Sequence, residues 1–106
     1  MEAKIGYKIV ALYDDGLFSL TPQRGSRLCV RYAVGKWARK NEMSHGPLFL
    51  YDTLEDLMRV HHLLVKMKPF PVKVFKCEYV PSQKTMYCPY RGAIFADQIK
   101  LLEEIE

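Results

Sequence analysis

Apolar and polar residues alternate over several short stretches of this chain, and turn-forming residues separate these stretches. Lys4–Tyr13 is rich in aromatic and β-branched side chains, which favour a strand. Asp14-Asp15-Gly16 predicts a tight turn into a second strand at Leu17–Thr21, so the first two strands form a hairpin. The same pattern predicts three more strands, at Arg27–Val34, Leu48–Tyr51 and Val72–Val80.

The period of the pattern changes after Asp52. Thr53 is suited to cap a helix, and the acidic residues that follow suit the positive end of the helix dipole. Pro69 and Pro71 prevent the helix from continuing. We therefore predict an amphipathic helix over about residues 54–67. Its apolar stripe is predicted to comprise Leu54, Leu57, Met58, His61, Leu64 and Val65.

Three segments rich in proline, glycine and polar residues are predicted to be loops: Pro22–Ser26, Ala38–Pro47 and Pro81–Gly92. The segment Asp97–Glu106 fits two patterns, because its apolar residues have both strand and helix spacing. We favour a strand, since a terminal helix would need a second apolar sheet face to cover.

These elements predict an α+β fold. A curled, mostly antiparallel sheet of about five or six strands would carry the helix at about 54–67 on one face. Residues 1–106 are predicted to form a single domain. The chain is too short for a barrel of eight strand–helix units, and its 49% hydrophobic content excludes a disordered protein.

Five short motifs are spread over most of the chain: Tyr7–Val10, Tyr32–Trp37, Leu48–Asp56, Val74–Glu78 and Ala96–Leu102. With these motifs the chain resembles small single-domain proteins of unknown function from bacteria, archaea and viruses. The resemblance implies one compact domain with a C-terminal strand, and it implies no activity.

The N-terminal segment lacks the unbroken apolar run of a signal peptide, because Lys4 and Lys8 interrupt it. No apolar stretch approaches the roughly 20 residues that span a bilayer. The odd number of cysteines (Cys29, Cys77 and Cys88) favours a reducing compartment. We predict a cytoplasmic protein without a membrane partner.

Positive charge is distributed unevenly, although the formal net charge is only +4. No acidic residue lies between Gly16 and Asn41, and arginine and lysine side chains there could bind phosphate groups. Tyr32 and Trp37 lie among them as candidate stacking residues. We predict a small binding module for an anionic ligand, either nucleic acid or a nucleotide. The candidate cations are Arg24, Arg27, Arg31, Lys36, Arg39 and Lys40.

Two other functions remain open. The protein could be an accessory protein of a virus or mobile element that binds other proteins. A second copy of the chain or another protein could then bind at an exposed edge strand or at a tyrosine-rich surface. The residues of that surface would be Tyr79, Met86, Tyr87 and Tyr90. A small enzyme could instead use Cys88 with His45, or a nucleotide pocket built from Tyr7, Ser19 or Thr21, and Glu78.

No metal site or cofactor is predicted. Structural zinc sites normally contain closely spaced cysteine pairs, and Cys77 and Cys88 are too far apart in the sequence for that pattern. Adjacent helical residues such as His61 and His62 point in different directions and do not chelate one ion easily. No residue is assigned a catalytic role.

Overall fold

A computed structural model describes residues 3–14, 16–19, 30–39, 48–67, 71–83 and 92–105. Within these ranges a seven-stranded antiparallel sheet is accompanied by one helix, which confirms the predicted α+β class. The elements are β1 (Lys4–Tyr13), β2 (Gly16–Phe18), β3 (Arg31–Tyr32), β4 (Trp37–Arg39), β5 (Leu48–Leu50), α1 (Leu54–Met67), β6 (Val72–Pro81) and β7 (Ile94–Ile105).

The sheet follows the order β3-β2-β1-β6-β7-β4, and β5 also pairs with β7. Because β6 occupies one edge of β7, β4 and β5 share the other edge. Two register shifts leave Asp97 and Leu102 of β7 without a residue opposite them on β6. Such bulges increase twist and bend a strand, so they help to curl the sheet into a nearly closed barrel.

A tight turn brings the two ends of the sheet together. It links β3 to β4, which are the first and last strands in the sheet order. The Lys36 amide donates to the Ala33 carbonyl at 3.1 Å, and Gly35 has a φ of 82°, which a type II turn requires. The Gly35 amide donates to the Leu101 carbonyl at 2.8 Å, so β7 anchors the turn.

Alternating side chains of the sheet supply two separate apolar cores. Along β1, Val10 points into the curl, whereas Ile9 and Ala11 point outward to the helix. The inner core also contains Tyr32, Leu48, Leu50, Phe75, Cys77, Tyr79, Ala96, Ile99 and Leu101. The outer core adds Tyr51, Leu57, Val60 and Val74, so α1 covers one face of the sheet as predicted.

The helix has the predicted bounds, and its predicted cap is present. The Asp56 amide donates to Thr53 Oγ1 at 3.2 Å. The predicted apolar stripe is wrong at two positions, because Met58 and Val65 are exposed. Leu57 is buried as predicted, and Val60, which was not assigned to the stripe, is buried as well, so the centre of the buried face is rotated toward Val60.

The sheet has seven strands within the described residues and not the predicted five or six, because Trp37–Arg39 adds a strand. The strand predicted to reach Val34 ends at Tyr32, because Ala33 and Val34 belong to the turn before β4.

The other strand predictions mostly agree with the described residues. The bounds of β1 are as predicted, and β1 and β2 form the predicted hairpin with Tyr13 opposite Gly16. The C-terminal segment is a strand, as favoured. The loop predicted from Ala38 is wrong at its start, because β4 pairs with Gln98–Lys100 of β7. Residues 20–29, 40–47 and 84–91 lie outside the described residues.

Within the described part of the chain, no helix has the length and apolar character needed to cross a membrane.

Candidate anion-binding cleft

A cleft of about 570 Å³ opens where the two ends of the curled sheet approach each other. One wall comes from β2 and β3, and the other comes from β4 and the turn that precedes it. Its lining residues are Gly16, Leu17, Arg31, Tyr32, Ala33, Lys36, Trp37 and Ala38.

Strand alternation places Arg31 on the outside of β3 and Tyr32 in the inner core, where it is 3% exposed. The Arg31 guanidinium lies 5.9 Å from the centre of the Phe18 ring. It also lies over Gly16, where an added Cβ would come within 3.2 Å of Arg31 Nε. The missing side chain of Gly16 therefore makes room for the guanidinium at the wall of the cleft.

Trp37 is 41% exposed and lies on the opposite wall. Lys100 is its cross-strand neighbour, and Lys100 Nζ is 5.2 Å from the centre of the indole ring. Glu78 in turn holds Lys100 through an ion pair of 3.7 Å. Arg39 is exposed two residues further along β4, and its side chain therefore leaves the strand on the same face as Trp37.

The structure brings together four of the residues singled out from the sequence. Arg31 and Lys36 supply positive charge, Trp37 supplies an exposed aromatic ring, and Tyr32 is too buried to offer its ring for stacking. None of the described lining residues is acidic. Arg39 follows on β4. The remaining candidate cations, Arg24, Arg27 and Lys40, lie outside the described residues.

Sequence reasoning missed a buried cation behind the cleft. Lys8 is only 1% exposed, and its Nζ donates to the Phe49 carbonyl at 2.5 Å. Nζ lies 4.0 Å from the centre of the Phe49 ring and 5.7 Å from that of Tyr32. Lys8 thus contacts the side chain that forms the floor of the cleft. Its position midway between Gly6 and Val10 on the inward face of β1 was the signal available in the sequence.

Cys77 is part of the inner core, as expected for a cysteine in a strand. Burial raises the pKa of its thiol to about 12, although the nearby Lys8 ammonium acts to lower that pKa. The thiol therefore remains protonated at neutral pH and is not a nucleophile. Cys29, Cys88 and His45 lie outside the described residues.

Of the four residues proposed for a protein-binding surface, the structure describes only Tyr79. Tyr79 is buried in the inner core, and burial raises the pKa of its phenol. Met86, Tyr87 and Tyr90 lie outside the described residues.

The residues proposed for a nucleotide pocket have structural contacts elsewhere. Tyr7 packs against the outer core, and Glu78 pairs with Lys100. The hydroxyl of the buried Ser19 accepts a hydrogen bond from the Val30 amide at 3.0 Å, which links β2 to the start of β3. Thr21 lies outside the described residues.

A second groove of about 270 Å³ lies between α1 and the paired ends of β6 and β7. Lys73 and Glu104 in its wall form an ion pair of 3.2 Å, so the groove carries no net charge from that pair. The described residues also contain no cluster of three or more side chains suited to hold a metal ion.

Comparisons with known proteins give no assignment: no protein-family model, curated protein or solved structure matches this chain. The function has to be inferred from the residues of the chain itself.

Proposed function

We propose that this protein is a binding module that holds an anionic ligand with an aromatic base, a nucleotide or nucleic acid, in the cleft between β3 and β4. One observation carries the proposal. Arg31 and Lys36 share a single cleft with Tyr32 and Trp37, and the described lining of that cleft has no carboxylate.

Each part of the cleft has a separate task. The guanidinium of Arg31 presents a planar set of donors that suits phosphate oxygens. The guanidinium lies in the space that Gly16 leaves open and near the Phe18 ring, and this contact restricts its position, so less conformational entropy is lost on binding. The exposed Trp37 ring supplies a surface for a base.

The size of the cleft agrees with this ligand class. Sites for small molecules and cofactors usually enclose about 300–1,000 Å³ and combine an apolar lining with a few polar groups. The cleft of about 570 Å³ falls within that range, and Leu17, Ala33 and Ala38 provide its apolar surface. A volume of this size suits one nucleotide-sized group.

Fluorescence of Trp37, which is the only tryptophan of the chain, provides a direct assay. We expect ATP or a short oligonucleotide to change this fluorescence in a saturable way and to bind more weakly as salt increases. Arg31→Gln and Lys36→Gln should each weaken binding roughly tenfold, since each removes a charge-assisted contact.

Lys66→Gln is the matched control, because it removes the same charge from an exposed position of α1. It should leave the affinity within about twofold of that of the unmodified protein. The proposal fails if none of these ligands binds at low salt, or if Lys66→Gln weakens binding as much as the two cleft variants do.

A further inference from the structure

We infer that the natural ligand of the cleft is single-stranded nucleic acid that runs along β4, with one base stacked on Trp37 and its phosphates on both sides of that ring. The inference rests on the proposed function and narrows its ligand class.

The first support is the placement of cations around the indole. Lys36 precedes Trp37 in the chain, and Arg39 follows it on the same face of β4, roughly 7 Å further along the strand. A free nucleotide carries all its phosphates at one end of the molecule. It could use Arg31 and Lys36, but it would leave Arg39 without a phosphate. A polynucleotide places a phosphate on either side of each base and can use all three cations.

The second support is the exposure of the Trp37 ring. The Lys100 ammonium lies over the indole, 5.2 Å from the ring centre, and is itself paired with Glu78, while 41% of Trp37 stays exposed. Stacking on such a ring requires a base whose own face is free. Bases of a duplex already stack on each other, whereas those of a single strand can separate and bind aromatic side chains.

The test compares ligands on the full chain. The probes are single-stranded oligothymidine and oligouridine of about 15 nucleotides, the corresponding DNA duplex, and ATP. We expect a single strand to quench Trp37 fluorescence and to bind at least about tenfold more tightly than the duplex or ATP. Phosphate contacts to Arg31, Lys36 and Arg39 predict a slope of about −2 when the logarithm of the association constant is plotted against that of the salt concentration. The oligothymidine and oligouridine arms show whether DNA or RNA is preferred.

Variants then test the path along β4, with a fluorescein-labelled oligonucleotide as the reporter. Trp37→Ala should weaken binding about tenfold or more, and Trp37→Phe should retain most of the affinity. Arg39→Gln should weaken oligonucleotide binding and reduce the salt slope by about 0.7, while ATP affinity stays unchanged. Lys66→Gln again controls for the loss of one charge, and urea unfolding verifies that every variant is folded.

The outcomes separate this inference from the proposed function. Equal affinity for ATP and single strands, or an effect of Arg39→Gln on both ligands alike, would overturn the inference and leave the proposed function standing. Tighter binding of the duplex would also overturn it. If no ligand binds at low salt, the proposed function fails and the inference fails with it.

Discussion

Gly6 has the least free space of the described glycines, and adding a single methyl group there tests the packing directly. A Cβ on Gly6 would lie 2.7 Å from Leu50 Cδ1, 2.9 Å from the Tyr51 carbonyl oxygen and 3.0 Å from Tyr79 Cε1. Leu50 is fully buried and cannot move into solvent. The Tyr51 carbonyl accepts from the Tyr7 amide at 2.7 Å, so its displacement would disturb the link between β1 and β5.

The expected cost of Gly6→Ala has three parts. Overpacking of a core costs about 1–3 kcal/mol. Weakening of the Tyr7–Tyr51 hydrogen bonds adds about 1 kcal/mol for each bond affected. The lower entropy of the unfolded alanine variant offsets about 0.4–1 kcal/mol. We therefore expect the free energy of unfolding to fall by about 2–4 kcal/mol.

Urea unfolding followed by Trp37 fluorescence measures this change, and Gly35→Ala is the comparison. A Cβ on Gly35 has no atom within 4 Å, but the φ of +82° strains any L residue. Its expected cost is about 1–2 kcal/mol. A loss below about 1 kcal/mol for Gly6→Ala, or a smaller loss than for Gly35→Ala, would refute the reasoning about packing at Gly6.

Three further predictions concern the inner core, the helix and the cleft. The pKa of the Cys77 thiol is about 12 in the folded protein and 9.0 ordinarily, so only the unfolded state loses this proton between those pH values. The free energy of unfolding should therefore fall as pH rises through this range, by at most about 1.4 kcal/mol per pH unit. Urea unfolding of Cys77→Ala at about pH 10.5 should show a smaller fall, because the variant has no thiol to ionise. Thr53→Ala removes the cap of α1 and should lower the free energy of urea unfolding by about 1 kcal/mol. Gly16→Ala should displace the Arg31 guanidinium and weaken binding of a labelled oligonucleotide up to about tenfold, without any change in charge.

A control variant or comparison tests each of these three predictions. An unchanged pH dependence in Cys77→Ala would show that this thiol is not responsible for the fall. Arg59→Ala removes exposed ion pairs on α1 and should cost less than about 0.5 kcal/mol; an equal effect of Thr53→Ala would argue against the cap. Gly92→Ala also strains a left-handed residue, with a φ of +87°, but it lies outside the lining of the cleft. Equal loss of affinity in Gly92→Ala and Gly16→Ala would contradict the role of Gly16.

Local signals in the sequence were sufficient for the helix and the hairpin. Thr53 supplies the cap of α1, and the prolines that follow the helix prevent its continuation. At the hairpin, Gly16 has the positive φ that the turn residue was expected to provide. These features depend on residues close in the chain, so a single sequence is enough to predict them.

Non-local pairing explains what the sequence did not reveal. Trp37–Arg39 has no distinct strand pattern of its own and is extended because it lies on the edge of β7. The bulges at Asp97 and Leu102 shift the alternation of β7, so Ala96 and Ile99 both point inward although they are three residues apart. Within the C-terminal segment, Ile99 and Leu101 point inward, whereas Ile105, beyond the bulge at Leu102, packs against the outer core, so the apolar residues do not keep a single strand spacing.

The candidate site was predictable in its chemistry but not in its shape. The acid-free run drew attention to Arg31, Lys36 and Trp37, which are close together in the sequence. The cleft itself depends on closure of the sheet, which a residue pattern does not encode. The burial of Lys8 was missed because a lysine in a strand is normally on the solvent side, and only the curled sheet encloses it.

The position of β7 in the chain has a consequence for how the protein is made. β4, β5 and β6 all pair with β7, yet the ribosome synthesises each of them before it. These strands leave the ribosome without their common partner, and the turn at Gly35 has no Leu101 carbonyl to bind until β7 emerges. The pairings of β1 with β2, of β2 with β3 and of β1 with β6 do not involve β7. A released chain that ends before β7 should therefore contain the paired strands β1, β2, β3 and β6 but no binding cleft, and should depend on chaperones.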